Sequence, residues 1–178
     1  MPRLSPIDPA KAPAITRELL VAVESKLGMV PNVIATLAHS PAAAQGYLSF
    51  SDAVSGGVLS EGLREQVAVA VAQANGSVYC VAAHCAIGSS VGLTDDELRD
   101  ARTGNATDRK AAAALRFARR IVDVRGSVSD DDVASVRDAG YGDAEIVEIV
   151  ANVALNTFTN YFNHVAGTEV DFPRVAKL

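Results

Sequence analysis

The stretch from Leu63 to Leu93 reads LREQVAVAVAQANGSVYCVAAHCAIGSSVGL and holds both cysteines of the chain, Cys80 and Cys85, with His84 beside the second. Its apolar residues recur at intervals of three, four and seven, which is typical of a helix with one buried face. These positions are Leu63, Val67, Ala70, Val71 and Ala74. The pattern predicts a long buried helix in the first half of the stretch.

The run Asn75-Gly76-Ser77 interrupts this pattern. Gly costs about 1 kcal/mol in a helix interior, and Asn and Ser compete for nearby backbone hydrogen bonds. We therefore expect a central helix that Ser60 caps, a break, and a second helix over about 78–89. Cys80 then lies near the start of the second helix, where the partial positive charge of the terminus favours a thiolate.

Three residues of this stretch are candidates for proton transfer and nucleophilic attack. Cys80 and His84 are four residues apart, so on a helix their side chains share a face. Glu65 precedes them on the central helix and could be the acceptor behind the histidine, while Arg64 is expected to point away. The alternatives are a Cys80 that is only a small buried apolar residue, a hydrogen-bonded core histidine, and a surface glutamate near a helix start.

The motifs resemble those of the carboxymuconolactone decarboxylase family, in its alkylhydroperoxidase-D-like, peroxidase-related branch. The resemblance extends over nearly the whole chain. The segments that carry it are Arg64-Glu65, Ser77-Val78-Tyr79-Cys80, His84, Gly92-Leu93-Thr94, Val30-Pro31-Asn32, His39-Ser40-Pro41, Asn160-Tyr161-Phe162-Asn163 and Thr168-Glu169-Val170-Asp171-Phe172-Pro173.

The resemblance implies an all-α, multihelical domain with a helical-bundle core, and catalytic roles for Cys80, His84 and Glu65. The redox members of the family carry a CxxC pair, in which the second cysteine attacks the peroxide and the first resolves the product. Here Ser77 stands in place of the first cysteine, so an external thiol must resolve Cys80. Ser77 is otherwise a helix cap or a partner of the thiolate, and Tyr79 is expected to line the pocket.

Cys85 does not replace the missing cysteine. Five residues on a helix turn it about 140° from Cys80 and raise it about 7.5 Å, whereas a disulfide needs Cα atoms closer than about 7 Å. A metal site of Cys80, His84 and Cys85 is disfavoured too, because His84 and Cys85 point about 100° apart. No metal and no cofactor are predicted.

The composition limits the kinds of molecule with which the protein is expected to interact. The net charge is −5 and the basic residues occur in pairs at most, so no row of phosphates would be neutralised and nucleic acid is excluded as a partner. The longest apolar run near the motif is far shorter than the roughly 20 residues of a membrane helix. The start of the chain lacks a signal-peptide core. We expect a cytoplasmic protein whose cysteines stay reduced.

The chain divides into an extended, proline-rich arm over 1–13 and a single domain over 14–178. Such an arm often lies on a neighbouring subunit, and the family forms trimers and hexamers, so a homo-oligomer is predicted. At an offset of 80 residues the chain repeats itself weakly. Glu65 aligns with Glu145, Ser77 with Thr157, Cys80 with Asn160 and His84 with His164. This echo is a weak internal duplication or a coincidence.

Three functions follow. The leading hypothesis is an antioxidant, thiol-dependent peroxidase that reduces a hydroperoxide through Cys80 with a Glu65/His84 proton relay. The second is an acid/base enzyme of the lactone decarboxylase type without thiol redox chemistry, for which the sequence offers no clear cationic partner for a carboxylate. The third is a non-catalytic oligomeric protein with a decayed site.

Overall fold

The computed structural model describes all 178 residues and consists of helices and connections, without β-strands. The predicted all-α class is confirmed. A single 3-10 turn, Pro9–Lys11, precedes nine α-helices. These are α1 Ala14–Leu27, α2 Asn32–Leu37, α3 Pro41–Ser55, α4 Glu61–Ala74, α5 Val78–Ser90, α6 Asp95–Arg102, α7 Arg109–Asp123, α8 Asp130–Asp138 and α9 Asp143–Ala166.

Helix α4 is the centre of the bundle and packs against α5, α6, α7 and α9. Its residues from Val67 to Ala72 are at most 2% exposed, so this helix is surrounded on every side. Ser60 caps it by accepting a hydrogen bond from Leu63 N at 3.3 Å, which confirms the predicted cap. The small side chains of its core stretch allow several helices to approach α4 closely at once.

The predicted break lies between α4 and α5. Asn75 ends α4 and Gly76 has a φ of 67°, a left-handed conformation that glycine adopts without strain. The chain then reverses, so α5 packs along α4. This reversal brings residues late in α5 beside residues early in α4.

Helix α9 runs without a break for 24 residues. Leu155 and Asn156 stand where an 80-residue offset from Asn75 and Gly76 would place the break, and neither residue requires a left-handed conformation. The helix ends at Gly167, which has a φ of 62°. Its inward face packs on α3, α4, α5 and α7.

The N-terminal arm lies against its own chain. The backbone N–H groups of Arg3 and Leu4 donate to Ala166 O at 2.7 and 3.0 Å, and Ile7 N donates to Ala35 O at 3.1 Å. These contacts hold the arm over the end of α9 and over α2. The arm therefore gives no support of its own to the predicted oligomer, and the division at residue 13 stays a prediction.

The C-terminal tail, residues 168–178, crosses α2 and α5. Asn32 N donates to the Asp171 carboxylate at 2.7 Å, and the ring of Phe172 meets that of Tyr79 edge-on at 5.8 Å. Arg102 Nη1 donates to Ala176 O at 2.8 Å. The tail thus forms one edge of the cavity described below. None of the helices is long and apolar enough to span a lipid bilayer.

Candidate active site

A cavity of about 680 Å³ opens between α1, α3, α4, α5, α9 and the tail. All three predicted catalytic residues, Cys80, His84 and Glu65, line it. The volume lies within the range of roughly 300–1,000 Å³ that is typical of small-molecule sites. About half of the lining residues are hydrophobic, and they include Leu19, Val23, Leu48, Leu155 and Phe172.

Glu65 and His84 form a close pair at one side of this cavity. Nδ1 of His84 lies 2.8 Å from Oε2 of Glu65, and the two side chains are 19% and 16% exposed. The carboxylate accepts, so Nδ1 carries the proton, and Nε2 makes no hydrogen bond within the protein. A partly buried carboxylate that orients an imidazole in this way is suited to proton transfer.

Cys80 is 3% exposed and is surrounded by side chains of α9. Its Sγ accepts a hydrogen bond from Asn163 Nδ2 at 3.2 Å and donates to Thr159 Oγ1 at 3.9 Å. His84 lines the same cavity but bonds Glu65 through Nδ1 and makes no hydrogen bond to the sulfur. The four-residue spacing thus places the thiol and the imidazole on one wall without joining them directly.

Ser77 and Tyr79 flank Cys80 in different ways. Ser77 occupies the N-cap position of α5, but its hydroxyl makes no capping bond and is buried without any partner. Neither of its two predicted hydrogen bonds is present. Tyr79 lines the cavity as expected. Its hydroxyl accepts from Val33 N at 3.2 Å, and burial, followed by the nearby Asp171 carboxylate, raises its pKa.

Several cavity residues were not predicted from the sequence. Tyr47 of α3 lines the cavity together with Cys80 and Glu65, and burial raises its pKa to about 12. Helix α9 supplies a polar wall. It consists of Asn152, Asn156, Thr159 and Asn163. Buried polar residues at intervals of three and four in an otherwise apolar helix were the signal that could have identified this wall.

Arg64 also lines the cavity, so the expectation that it points away is wrong. Its Nη1 donates to Leu59 O at 2.5 Å. Neighbouring helical residues diverge by about 100°, yet the cavity is wide enough for the long side chain of Arg64 to reach its edge. A cationic group is therefore present where the sequence offered none.

Cys85 lies outside the cavity. It is 8% exposed, and burial raises the pKa of its thiol. Both cysteines are free thiols. The two sulfurs thus belong to different surroundings, one in the cavity and one in the packed core.

Residues 41–123 match the model of the carboxymuconolactone decarboxylase family. The matched residues are just under half of the chain, and this part of the protein is similar to that family. The match includes α3 to α7 and therefore Glu65, Cys80 and His84. No curated protein is a significant match to the sequence.

Three solved structures share the fold of this chain. An uncharacterized peroxidase-related protein from Ralstonia eutropha, described as an alkylhydroperoxidase AhpD core, is 28% identical, with a TM-score of 0.83 over 96% of this chain and 92% of that one. A peroxidase-related protein from a Silicibacter species is 22% identical, with a TM-score of 0.81 over 93% and 91%.

The third structure is the debrominase Bmp8, which is 20% identical, with a TM-score of 0.80 over 94% of this chain and 91% of that one. A variant of Bmp8 in which a cysteine is replaced by alanine has been solved with 2,3,4-tribromopyrrole. At these identities the last two structures show the fold alone. The alkylhydroperoxidase-D-like architecture predicted from the motifs is confirmed.

Proposed function

We propose that this protein is a thiol-dependent peroxidase that reduces hydroperoxides through Cys80 and is recycled by an external thiol. One observation carries the proposal: a cysteine that accepts an N–H hydrogen bond lines the same cavity as a carboxylate-oriented imidazole. A nucleophile and a proton-transfer pair in one enclosed site are the parts that such a reaction needs.

The proposed reaction starts with attack of the Cys80 thiolate on the terminal oxygen of the hydroperoxide. The S–O bond forms as the O–O bond breaks, so sulfur loses two electrons and becomes a sulfenic acid. The alkoxide leaves and takes a proton from the His84–Glu65 pair. One external thiol then displaces water to give a mixed disulfide, and a second releases the Cys80 thiol and an external disulfide.

The need for an external thiol follows from the surroundings of Cys80. Ser77 stands where a resolving cysteine would be, and Cys85 does not line the cavity. No second sulfur of the chain can therefore reach the sulfenic acid. A thiol reductant is available in a reducing compartment such as the predicted cytoplasm.

Substrates larger than hydrogen peroxide suit the site. The cavity holds about 680 Å³, whereas a water molecule occupies only about 30 Å³ in the liquid. Its apolar lining favours an organic hydroperoxide with a hydrophobic body, because burial of that body against Leu19, Leu48 and Phe172 contributes to binding.

The proposal is tested by treating the reduced protein with one equivalent of cumene hydroperoxide in the presence of dimedone, which traps sulfenic acids. Intact mass should show a single dimedone adduct in the wild type and in Cys85→Ser, and none in Cys80→Ser. An adduct that survives in Cys80→Ser, or no adduct in the wild type, contradicts the proposal.

Reductive dehalogenation is a second candidate, favoured by the size of the cavity and by the lone cysteine within it. The fold neighbour that is a debrominase shows that this architecture accommodates such chemistry. Two thiols and an aryl bromide would give the aryl C–H product, a disulfide and HBr. Bromide release from a brominated pyrrole that requires Cys80, measured with excess dithiothreitol, would favour this function over peroxide reduction.

We also propose that the protein is a homo-oligomer. The outer side of α9 exposes a row of apolar residues, of which Val147, Tyr161 and Val165 are 66, 57 and 65% exposed. Pairing these faces would remove apolar surface from water. Light scattering at micromolar concentration should give a multiple of 18.5 kDa, and a monomer would refute the proposal.

A further inference from the structure

Helix α9 supplies the hydrogen-bond donor of the Cys80 sulfur. Asn163 Nδ2 lies 3.2 Å from Sγ, and the two residues are 6% and 3% exposed. The amide makes no other hydrogen bond, since Asn163 Oδ1 is buried without a partner. The side-chain amide of Asn163 therefore bonds the sulfur and no other group.

The neighbouring groups cannot take over this role. The hydroxyl of Thr159 donates its hydrogen to Asn156 O at 3.0 Å, so Thr159 can only accept a hydrogen bond from the thiol. His84 makes its hydrogen bond to Glu65 and none to the sulfur. Asn163 is consequently the one side chain that donates to Sγ. A hydrogen bond to an ionised group favours its charged form, most strongly where water is excluded.

Several titratable groups line the cavity around the Cys80 sulfur, but none of them donates a hydrogen bond to it. They are Tyr47 on α3, Glu61, Arg64 and Glu65 on α4, and Tyr79 and His84 on α5, together with the ion pair of Lys26 on α1 and Asp52 on α3. Glu65 disfavours a second negative charge nearby, and burial keeps Tyr47 and Tyr79 protonated. Helix α9 contributes no charged group to the cavity, and its polar side chains there are amides and a hydroxyl.

We propose that Asn163 stabilises the Cys80 thiolate, and that the His84–Glu65 pair instead delivers a proton to the group that the thiolate displaces. In this arrangement the Cys80 thiolate is stabilised by a hydrogen bond and does not depend on a base in contact with the sulfur. The inference rests on the proposed function only in taking Cys80 as the nucleophile. When a hydroperoxide reacts, the Cys80 thiol has first lost its proton to solvent; the S–O bond forms, the O–O bond breaks, and the alkoxide takes a proton from Nε2 of a His84 imidazolium, which regains one from solvent.

Iodoacetamide separates the two roles, because its leaving group is iodide and needs no proton. Alkylation is followed from pH 5.5 to 9.5 in a Cys85→Ser background, in which only Cys80 can react. Asn163→Leu should raise the midpoint of the alkylation profile by about one to two pH units, the range expected for a lost charge-assisted hydrogen bond. Asn156→Leu removes an amide from the same wall of α9 and should leave the midpoint in place.

His84→Gln should keep the alkylation midpoint of the parent protein and lower the rate of cumene hydroperoxide reduction about a hundredfold. An unshifted midpoint in Asn163→Leu, or an equal shift in His84→Gln, overturns the inference. If the leucine variant does not fold, Asn163→Asp replaces it. This change keeps the side-chain volume, adds a repelling charge and should also raise the midpoint of the alkylation profile. If the midpoint shifts while no sulfenic acid forms, the inference stands and the peroxidase proposal fails.

Discussion

The α4–α5 pair and α9 each carry a glutamate and a histidine nineteen residues apart, yet only the pair builds a candidate active site. Glu65 and His84 bond at 2.8 Å. Glu145 and His164, also nineteen residues apart, lie on one continuous helix, where a rise of 1.5 Å per residue separates them by about 28 Å. The break at Gly76 is what makes the difference, because it folds α5 back along α4.

The residues of α9 that align with the candidate site at an offset of 80 residues have structural roles instead. Glu145 accepts from Gly142 N at 2.8 Å and pairs with Lys110 at 3.0 Å. Asn160 is fully buried and accepts from Asn75 Nδ2 at 2.9 Å, while Nε2 of His164 lies 2.8 Å from Asn75 O. Two of these contacts hold the turn between α4 and α5, so the intact helix supports the broken one.

The largest expected effect comes from moving the thiol between the two regions. Cys80→Ala should lower peroxidase activity at least about a thousandfold, since the nucleophile is gone. Adding Asn160→Cys to that variant should restore nothing, because position 160 is fully buried and does not line the cavity. Turnover of cumene hydroperoxide with dithiothreitol measures both. Recovered activity would mean that α9 holds a second competent site.

The second largest effect is a difference between His84 and His164 in how much their loss lowers the peroxidase rate. His84→Ala should reduce the rate about a hundredfold through the loss of the proton donor, and the rate should not recover as the pH rises. His164→Ala removes a surface hydrogen bond to Asn75 O and should change the rate less than about threefold, with a small loss of stability. Equal effects in a steady-state assay would show that the comparison is wrong.

Restoring the missing cysteine should act in the opposite direction. Ser77 is 2% exposed and its hydroxyl has no partner, so Ser77→Cys breaks no hydrogen bond and adds a thiol one helical turn from Cys80. Peroxidase turnover with a dithiol reductant should rise several-fold if resolution limits the rate, because the two sulfurs come within disulfide reach. Thr157→Cys, at the equivalent place in α9, is the control and should have no such effect.

The break itself can be tested through stability. Gly76→Ala should lower the free energy of unfolding by about 1 kcal/mol, because alanine is strained at a φ of 67°. Gly46 lies within α3 with open space around its Cβ position, so Gly46→Ala should raise it by about 0.5–1 kcal/mol. Urea unfolding of both variants measures the change in the free energy of unfolding. A change of the same sign in both would contradict the assigned backbone conformations.

The smallest effect concerns Glu145 and its pH dependence. The hydrogen bond from Gly142 N, followed by that from Lys110, lowers the pKa of Glu145. Its contribution to stability is therefore present above the pKa of the unfolded chain, about 4.3, and is lost as the pH falls through the lower folded value. Glu145→Gln should lower the melting temperature by about two degrees or less at pH 7, and the difference should disappear near pH 3.

Local chemistry explains why helix ends were predictable. The cap of Ser60 occurs where expected, because a cap joins residues only two or three positions apart. The break at Gly76 is equally local. Contacts with α9 were not predictable in this way, since Cys80 and Asn163 are separated by 83 residues and nothing in their spacing indicates that they meet.

The sequence by itself determined the helices, the break between α4 and α5, and the placement of Cys80 near a helix start with His84 one turn later. Only the tertiary structure decided that His84 binds Glu65 rather than the thiol, that Asn163 donates to the sulfur, and that the arm lies on its own chain. Helical periodicity and capping act within a few residues, whereas these contacts depend on how α5 and α9 pack around α4.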